Sequence, residues 1–589
     1  MNQIDSKKPA SDDVLTEDEV AEITQAYEER ADHLELSSFA SQTAVTDDSE
    51  RWLQSLTGPG AKLLVGPRGC GKTHLMRYAY TQCMASKDLP FAIYTNLNRY
   101  YRLEPVLRSR PEAMAMFYVW VLANIYISLA QAVSDFSGGG DGAARGLIAD
   151  VDRVFAESVV AAHEQQRPLT ADEDDFAAQL SIDRLKAFIV SATESLGRKR
   201  CVLLLDDAAL TLTPEFLAHF FDIFRALKGA KIAPKASVYP GTTEYGPNFH
   251  VDHEAASVFV WKDVTDADYL QFMEDIASKR LGVGETVEEE TAKALAYAAF
   301  GVPRAYMTLL RNFNRAKQRG KGSQSAFNQS IEEFLGERRR EYLSLREKKP
   351  HFASIVSAGD EVFNSLADDV AGANRASSDS STRQLVVGID REAFSNKPYV
   401  KRMMNLLEEA GMVYRKGVVS HGDREYERFI PHLAAVQGRR AFSSRRGSYS
   451  PKFMVEMLGR PDEKHPVRRS LSTILPQFDF DGLALDLPNC AACNAKRVEG
   501  AKYCFSCGAK LTEESTYNRL LLTSLVDVPG LTNWQREKME ASPSVPKTIG
   551  EFRALQDPGS ALRTIDMVGE QRAKLIIKAV DAYLDEYLS

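Results

Sequence analysis

The chain has 589 residues, of which 44% are hydrophobic and 26% charged, and its formal net charge is −8. That length exceeds what one hydrophobic core organises and predicts roughly three to five independently packed units. Neither an apolar run long enough to cross a bilayer nor a signal-peptide core is evident, so a soluble, cytoplasmic protein with no membrane partner is expected.

Residues 1–44 form an acidic N-terminal segment. The first fifty positions hold fourteen Asp and Glu against three Lys and Arg, a charge of −11, so the remainder sums to +3. Acid confined to one end does not exclude a nucleic-acid partner for the rest. Within this segment "LTEDEVAEITQAYEER" reads as a docking helix or a solvated tail.

From 45 to 265 short apolar runs alternate with helical stretches, the pattern of a parallel sheet covered on both faces. Strands are expected at 61–66, 90–96, 200–207, 236–243 and 256–264. The interval between the second and third holds "PEAMAMFYVWVLANIYISLAQAV" and a glycine-rich break, "SGGGDGAA".

After the first strand, Gly66-Pro67-Arg68-Gly69-Cys70-Gly71-Lys72-Thr73 fits G-x-x-x-x-G-K-[ST] without a mismatch, and His74 follows in the next helix. Glycines let backbone N–H groups converge on phosphates at a helix N-terminus, Lys72 adds a point charge, and the Thr73 hydroxyl is placed to ligand Mg²⁺. ATP and Mg²⁺ are the expected cofactors. "CVLLLDDAAL" sets Asp206 at the C-terminal end of a strand, where open α/β sheets hold ligands, as the second Mg²⁺ group. Asp207 then stands where it would orient the attacking water. Thr242 or Thr243, in "GTTEYGPNF", is a candidate for touching the γ-phosphate or that water. Arg304, in "YAAFGVPRAYMTLL", opens a helix of a lid spanning 266–348. Arg225 is a weak candidate for an arginine finger acting on a neighbouring copy.

The four segments of 266–348 have helical periodicity. Residues 349–437 contain "PYVKRMMNLLEEAGM" and a ribbon with the turn "SHGD", the pattern of a winged helix. Ser- and Arg-rich residues open a basic linker at 438–485.

The ordered set "GPRGCGKT", "LLLDDA", a Thr-bearing strand end and "GVPR" resembles AAA+ P-loop ATPases, and most of all the origin-recognition/initiator clade and its relatives among signal-transducing (STAND) NTPases. The resemblance covers roughly 45–345, and the winged helix matches the domain placed after the lid in both groups. It implies ATP and Mg²⁺ in a cleft between base and lid, and nucleotide-controlled oligomerisation or DNA loading. The sequence departs from the usual pattern in carrying Asp-Asp where Asp-Glu is common, so slow hydrolysis is expected.

Four of the seven cysteines, Cys490, Cys493, Cys504 and Cys507, form two C-x-x-C turns separated by ten residues, a zinc ribbon at 486–511. Four soft donors leave Zn²⁺ no open position, so the metal is structural and supplies the folding energy of a module too short for a core. Lys496, Arg497, Lys502 and Lys510 make its surface basic. The module resembles small bacterial ribbons ending in "CGAKL".

Residues 512–589 resemble two helix-hairpin-helix units, with hairpins at Pro529-Gly530-Leu531 and Val568-Gly569, and with Arg572 and Lys574 beside the second. Such units contact DNA or dock protein. The fold class expected is thus α/β multidomain: a parallel-sheet P-loop core, helical lid, winged helix, zinc ribbon and small all-α tail. The function expected is an ATP-dependent, DNA-associated switch, a homo-oligomer acting on double-stranded DNA. The alternative is a STAND-like regulatory ATPase, as in anti-phage defence, that docks a partner effector protein.

Overall fold

A computed structural model describes residues 39–137, 150–207, 214–280, 287–376, 381–443, 449–464, 467–499, 501, 503–511, 516–553, 555 and 557–588. The acidic helix expected at 15–30, the glycine-rich break and Lys502 lie outside these residues. Strands β1 (Lys62–Val65), β2 (Phe91–Asn96), β3 (Cys201–Asp206), β4 (Ile232–Val238) and β5 (Ala256–Phe259) form one sheet in the order β2-β3-β4-β1-β5. Every neighbouring pair is parallel. The run "CVLLLD" is buried at all six positions of β3, as a strand covered on both faces requires.

The expected fourth strand is displaced. Its real course is "IAPKASV", four residues upstream of the expected start, and it stops at Val238, where Tyr239-Pro240-Gly241 turns the chain with Gly241 at φ 77°. Pro234 and Lys235 break the apolar run, which hid the first half of the strand. Lys235 is buried, yet its Nζ donates to the carbonyls of Gly58 and Gly60 at 2.9 and 2.6 Å, closing the turn before β1. Burial, with Lys62 and Arg200 nearby, pushes its ammonium down to about 7.

Helices α1 (Asp47–Thr57), α2 (Lys72–Ala85), α3 (Ala113–Phe136), α4 (Asp150–Glu164), α5 (Ala171–Gln179), α6 (Ile182–Ser195) and α7 (Pro214–Leu227) surround this sheet. By length and composition α3 is long and apolar enough to cross a membrane, contrary to the expectation from sequence. It instead buries Phe117, Trp120, Leu122, Ile125 and Leu129 in the same core as the strands and packs on β2.

A second body begins sharply. Val260 belongs to the sheet core and Trp261 to another, which places the boundary a few residues before the expected 265. Helices α8 (Tyr269–Arg280), α9 (Glu289–Ala298), α10 (Pro303–Gln318) and α11 (Ser323–Lys348) occupy the four expected segments. After α12 (Ala353–Ala376) and β6 (Val387–Asp390) comes α13 (Pro398–Glu409), followed by the ribbon β7 (Val413–His421) and β8 (Arg424–Pro431), turned at Gly422 with φ 62°. Buried residues of the lid and ribbon segments join in one continuous hydrophobic core.

The expected linker at 438–485 is in part folded. Beyond α14 (Leu433–Gly438) it supplies α15 (Pro451–Leu458) and β9 (Val467–Arg469), which pairs parallel to β6 and completes a four-strand mixed sheet in the order β7-β8-β6-β9. Met454, Leu458, Leu471, Ile474 and Phe480 are buried in the second core. The Arg- and Ser-rich sequence around 438–450 obscured these short apolar stripes.

The tail forms α16 (Thr516–Leu521), α17 (Asn533–Ala541), α18 (Ile549–Arg553), α19 (Pro558–Leu562) and α20 (Glu570–Leu588). Its buried Leu520, Val528, Ile549, Phe552, Ile576 and Val580 continue the core of the first body rather than closing a detached module. α16 and α20 contact the segment Asn98–Ser109 that follows β2.

Candidate nucleotide cleft and metal centre

The phosphate-type loop joins β1 to α2. Gly69 and Gly71 hold φ of 86° and 96°, values that side chains other than glycine rarely adopt, and Gly71 caps α2. The Lys72 ammonium is buried within the loop, donating to the Gly66 and Pro67 carbonyls at 2.6 and 3.1 Å and lying 4.0 Å from the Tyr239 ring centroid. Cys70 is buried at the base of the loop, and burial pushes its thiol up despite Lys72 beside it.

β4 lies between β1 and β3 and its end ties the loop to the acids. Gly66 N donates to Val238 O at 3.4 Å, while Asp207 N donates to Ser237 Oγ at 2.8 Å. Asp206 is fully buried; its Oδ2 accepts from the Tyr94 hydroxyl at 3.0 Å and its Oδ1 from Asp207 N at 3.0 Å. These bonds fix the orientation of its carboxylate at the strand end, which fits a group that helps hold a hard divalent cation with Thr73. Tyr94, Ser237 and Tyr239 were not legible as site residues in the sequence. Tyr94 sits inside an apolar strand, and the other two were assigned to the wrong register.

Asp207 has a φ of 53°. Asn tolerates that conformation as well as Asp does, so Asp207→Asn leaves the backbone undisturbed. If Asp207 orients water, the variant will bind ATP as the parent does and hydrolyse it at least about a hundredfold more slowly, since positioned bases contribute roughly 10²–10⁴. Phosphate release and nucleotide titration measure the two; unchanged turnover would reassign the role.

Arg304 is brought to the loop. Its N donates to Gly69 O at 3.4 Å, and a Cβ built on Gly69 would lie 3.2 Å from Arg304 Cβ. Gly301, at φ 75°, is pressed so closely on the Lys262 carbonyl that no side chain fits. His74 bonds Thr43 and Arg280 on either side of its ring. The Thr243 hydroxyl donates to Tyr239 O at 3.0 Å and accepts from Tyr239 N at 3.1 Å, closing the turn that follows β4. The strand itself ends at Val238, with Tyr239 the first residue beyond it. Arg225 lies half exposed at the end of α7, donating to Asn248 O at 3.2 Å and lying 3.8 Å from Asp222.

The second body reaches the same cleft. A Cβ on Gly411 would lie 3.8 Å from Pro67, one on Gly241 would meet Asn405 at 3.0 Å, and Arg402 pairs with Glu244 at 2.7 Å. α13 and the residues just after it are therefore laid against the phosphate loop and the turn after β4. Arg415 of β7 is spent on Glu408, Glu427 and Asn405, and Lys416 on Asp263.

The four ribbon cysteines converge. Cys490 and Cys507 sulfurs are 3.7 Å apart, Cys493 and Cys504 sulfurs 3.6 Å, and all four lie within 4.8 Å of one another. Tetrahedral Zn²⁺ with bonds of about 2.3 Å needs sulfur separations near 3.8 Å, far beyond a disulfide, so the donor set fits zinc. The two knuckles are built alike: the residue after each second cysteine, Asn494 or Gly508, is left-handed at φ 59° or 70° and donates back to the first cysteine's carbonyl. N–H groups of Ala492 and Cys493 pull the Cys490 thiol down to about 6, and those of Cys507 and Ser506 lower Cys504, while hydrogen bonding to the neighbouring cysteine sulfurs raises the Cys507 thiol although Ala509 N–H lowers it.

In the tail, Gly530 and Met567 are left-handed, at φ 87° and 68°, in the turns before α17 and α20. Arg572 stands beside the second turn but is buried, with its guanidinium 4.7 Å from the Trp534 ring and donating to Met567 O. Lys574 is exposed and paired with Glu570.

Residues 36–100, which contain the loop and the first two strands, match the ORC-CDC6-like family. Similar solved structures include a Walker-type ATPase of Pyrococcus abyssi, 13% identical over 70% of this chain and 97% of that one, with a TM-score of 0.37. The Aeropyrum pernix ORC1 protein in complex with DNA is 15% identical over 70% of this chain and 95% of that one, with a TM-score of 0.29. The A. pernix ORC2 protein in ADPNP–ADP complexes is 11% identical over 77% and 97%, with a TM-score of 0.29. No curated protein matches the chain by sequence.

Proposed function

We propose that this ORC-CDC6-like AAA+ P-loop ATPase is a slow, ATP-dependent switch whose nucleotide state sets the posture of its winged-helix-like body and so controls engagement of double-stranded DNA. The observation that carries this reading is α13 lying across the cleft, with Gly411 at Pro67, Asn405 at Gly241 and Arg402 on Glu244. A triphosphate gripped by Lys72, Thr73, Asp206 and Arg304 would favour one placement of α13 over another, which is what a ligand must do to shift an equilibrium. The reaction is ATP plus water to ADP and phosphate. The shorter acid Asp207, in place of Glu, supports a low rate. The protein is read as cytoplasmic and as assembling into homo-oligomers.

A second reading is favoured by a specific feature. The ribbon exposes Val498, Tyr503 and Phe505, the last at 74%, while Arg415, Lys416 and Arg572 are consumed internally. An exposed apolar tip suits docking on an effector protein, as in a STAND-like regulator of antiviral defence. Duplex binding with Mg²⁺ and a non-hydrolysable ATP analogue distinguishes the two. The DNA reading predicts that affinity falls at least about tenfold between roughly 50 and 200 mM salt and that Arg402→Glu changes its dependence on nucleotide. No binding at low salt would leave the protein-docking reading.

A further inference from the structure

We propose that His74 is a positioning residue that bolts the lid to the phosphate-loop helix and to the leading segment Phe39–Thr43, so that the three move as one unit around bound nucleotide. The inference rests on the nucleotide-switch reading above. A guanidinium has no lone pair to accept with, so Arg280 Nη2 donates to His74 Nδ1, at 3.0 Å. That leaves the ring proton on Nε2, which donates to Thr43 Oγ1 at 2.8 Å; Thr43 Oγ1 donates onward to Phe39 O at 2.7 Å. Three directed hydrogen bonds thus run from α8 of the lid, through α2, to residue 39.

Packing holds the relay in place. The Phe39 ring stacks on His74 at 5.1 Å and 30°, and the Arg77 guanidinium lies 4.8 Å from the same Phe39 ring. Phe39 and Thr43 are 0% and 4% exposed, so neither hydroxyl nor carbonyl has ready access to water as a substitute partner. His74 directly follows Thr73, and the lid touches the loop a second time where Arg304 N meets Gly69 O. α8 also packs near Phe39–Gln42 directly and sets Phe272 edge-on to Trp52 of α1 at 5.9 Å, and His74 is the polar link among these contacts that runs from the lid through α2 to the leading segment.

The test uses the full-length chain, ATP with Mg²⁺ measured by calorimetry, and hydrogen exchange of 39–43 and 269–280 measured without nucleotide. His74→Phe keeps a stacking ring and removes both hydrogen bonds. It is expected to raise the ATP dissociation constant about tenfold, equivalent to about 1.4 kcal/mol, and to speed exchange in both segments. His74→Gln, which still accepts and donates, restores both. Thr43→Val weakens ATP about threefold, and the double variant His74→Phe/Thr43→Val is no weaker than His74→Phe alone, as members of one relay must behave. Effects that multiply in the double variant, or wild-type exchange and affinity in His74→Phe, overturn the proposal. Were the parent chain itself to show no ATP affinity, the switch reading would fall, while the exchange comparison would still decide the relay.

Discussion

Lys72→Ala is expected to weaken ATP binding on the order of a hundredfold while leaving the chain folded. The ammonium is 6% exposed and is held by two loop carbonyls and the face of Tyr239, so it is already aimed where phosphates converge. A hydrogen bond to a charged group is worth about 1.5–3 kcal/mol, which corresponds to roughly ten- to a hundredfold in affinity, and a phosphate in a sheltered cleft lies at the upper end. The fold does not depend on it: the carbonyls of Gly66 and Pro67 remain at the edge of the cleft, and β1 and α2 bury their own apolar faces. Calorimetry with ATP and Mg²⁺, beside a thermal melt, separates the two quantities. Undiminished affinity would refute the assignment of the loop.

The second large effect is at the cysteines. Replacing Cys504 and Cys507 together by Ser removes one knuckle, and metal analysis is expected to find about one equivalent of zinc in the parent protein and none in the variant. Structural zinc contributes apparent free energies of about 10–16 kcal/mol in small modules, more than a segment of this size can recover from packing. Apart from Cys490 and Cys504, no buried hydrophobic residue is found among the described residues of 486–511. Proteolysis should therefore open the ribbon in the variant, while the sheet body, whose core contains none of these residues, melts near its original temperature. Equal metal content in both proteins would remove the site.

The phosphate loop, the acid-bearing strand and the four cysteines were legible because each is a local pattern: a strand, a fixed spacing and a helix or turn within about a dozen residues. The parallel sheet was legible for the same reason, through apolar runs such as "CVLLLD". What was missed depends on contacts distant in sequence. Pro234 and Lys235 look like the end of a strand until Lys235 is seen to reach the carbonyls of Gly58 and Gly60. With β4 ending at Val238, Ser237 accepts from Asp207 N and the Tyr239 ring lies against the Lys72 ammonium, while Thr243 lies in the turn beyond. Likewise Arg572 reads as a surface charge until Trp534 packs against it, thirty-eight positions away in sequence. Nothing local in 438–485 announces that β9 completes a sheet begun at β6.

The connectivity limits how the two bodies can part. The core containing the five parallel strands is built from both flanks of the chain, Leu56 to Val260 and Leu520 to Leu584, whereas the second core runs from Trp261 to Leu483. The latter is therefore inserted, and the backbone passes between the two at only two places, Val260–Trp261 and the stretch containing the cysteines. Tethered at both of its ends, the inserted body cannot separate from the first, and any change in the length of the stretch that carries the cysteines bears on both bodies at once.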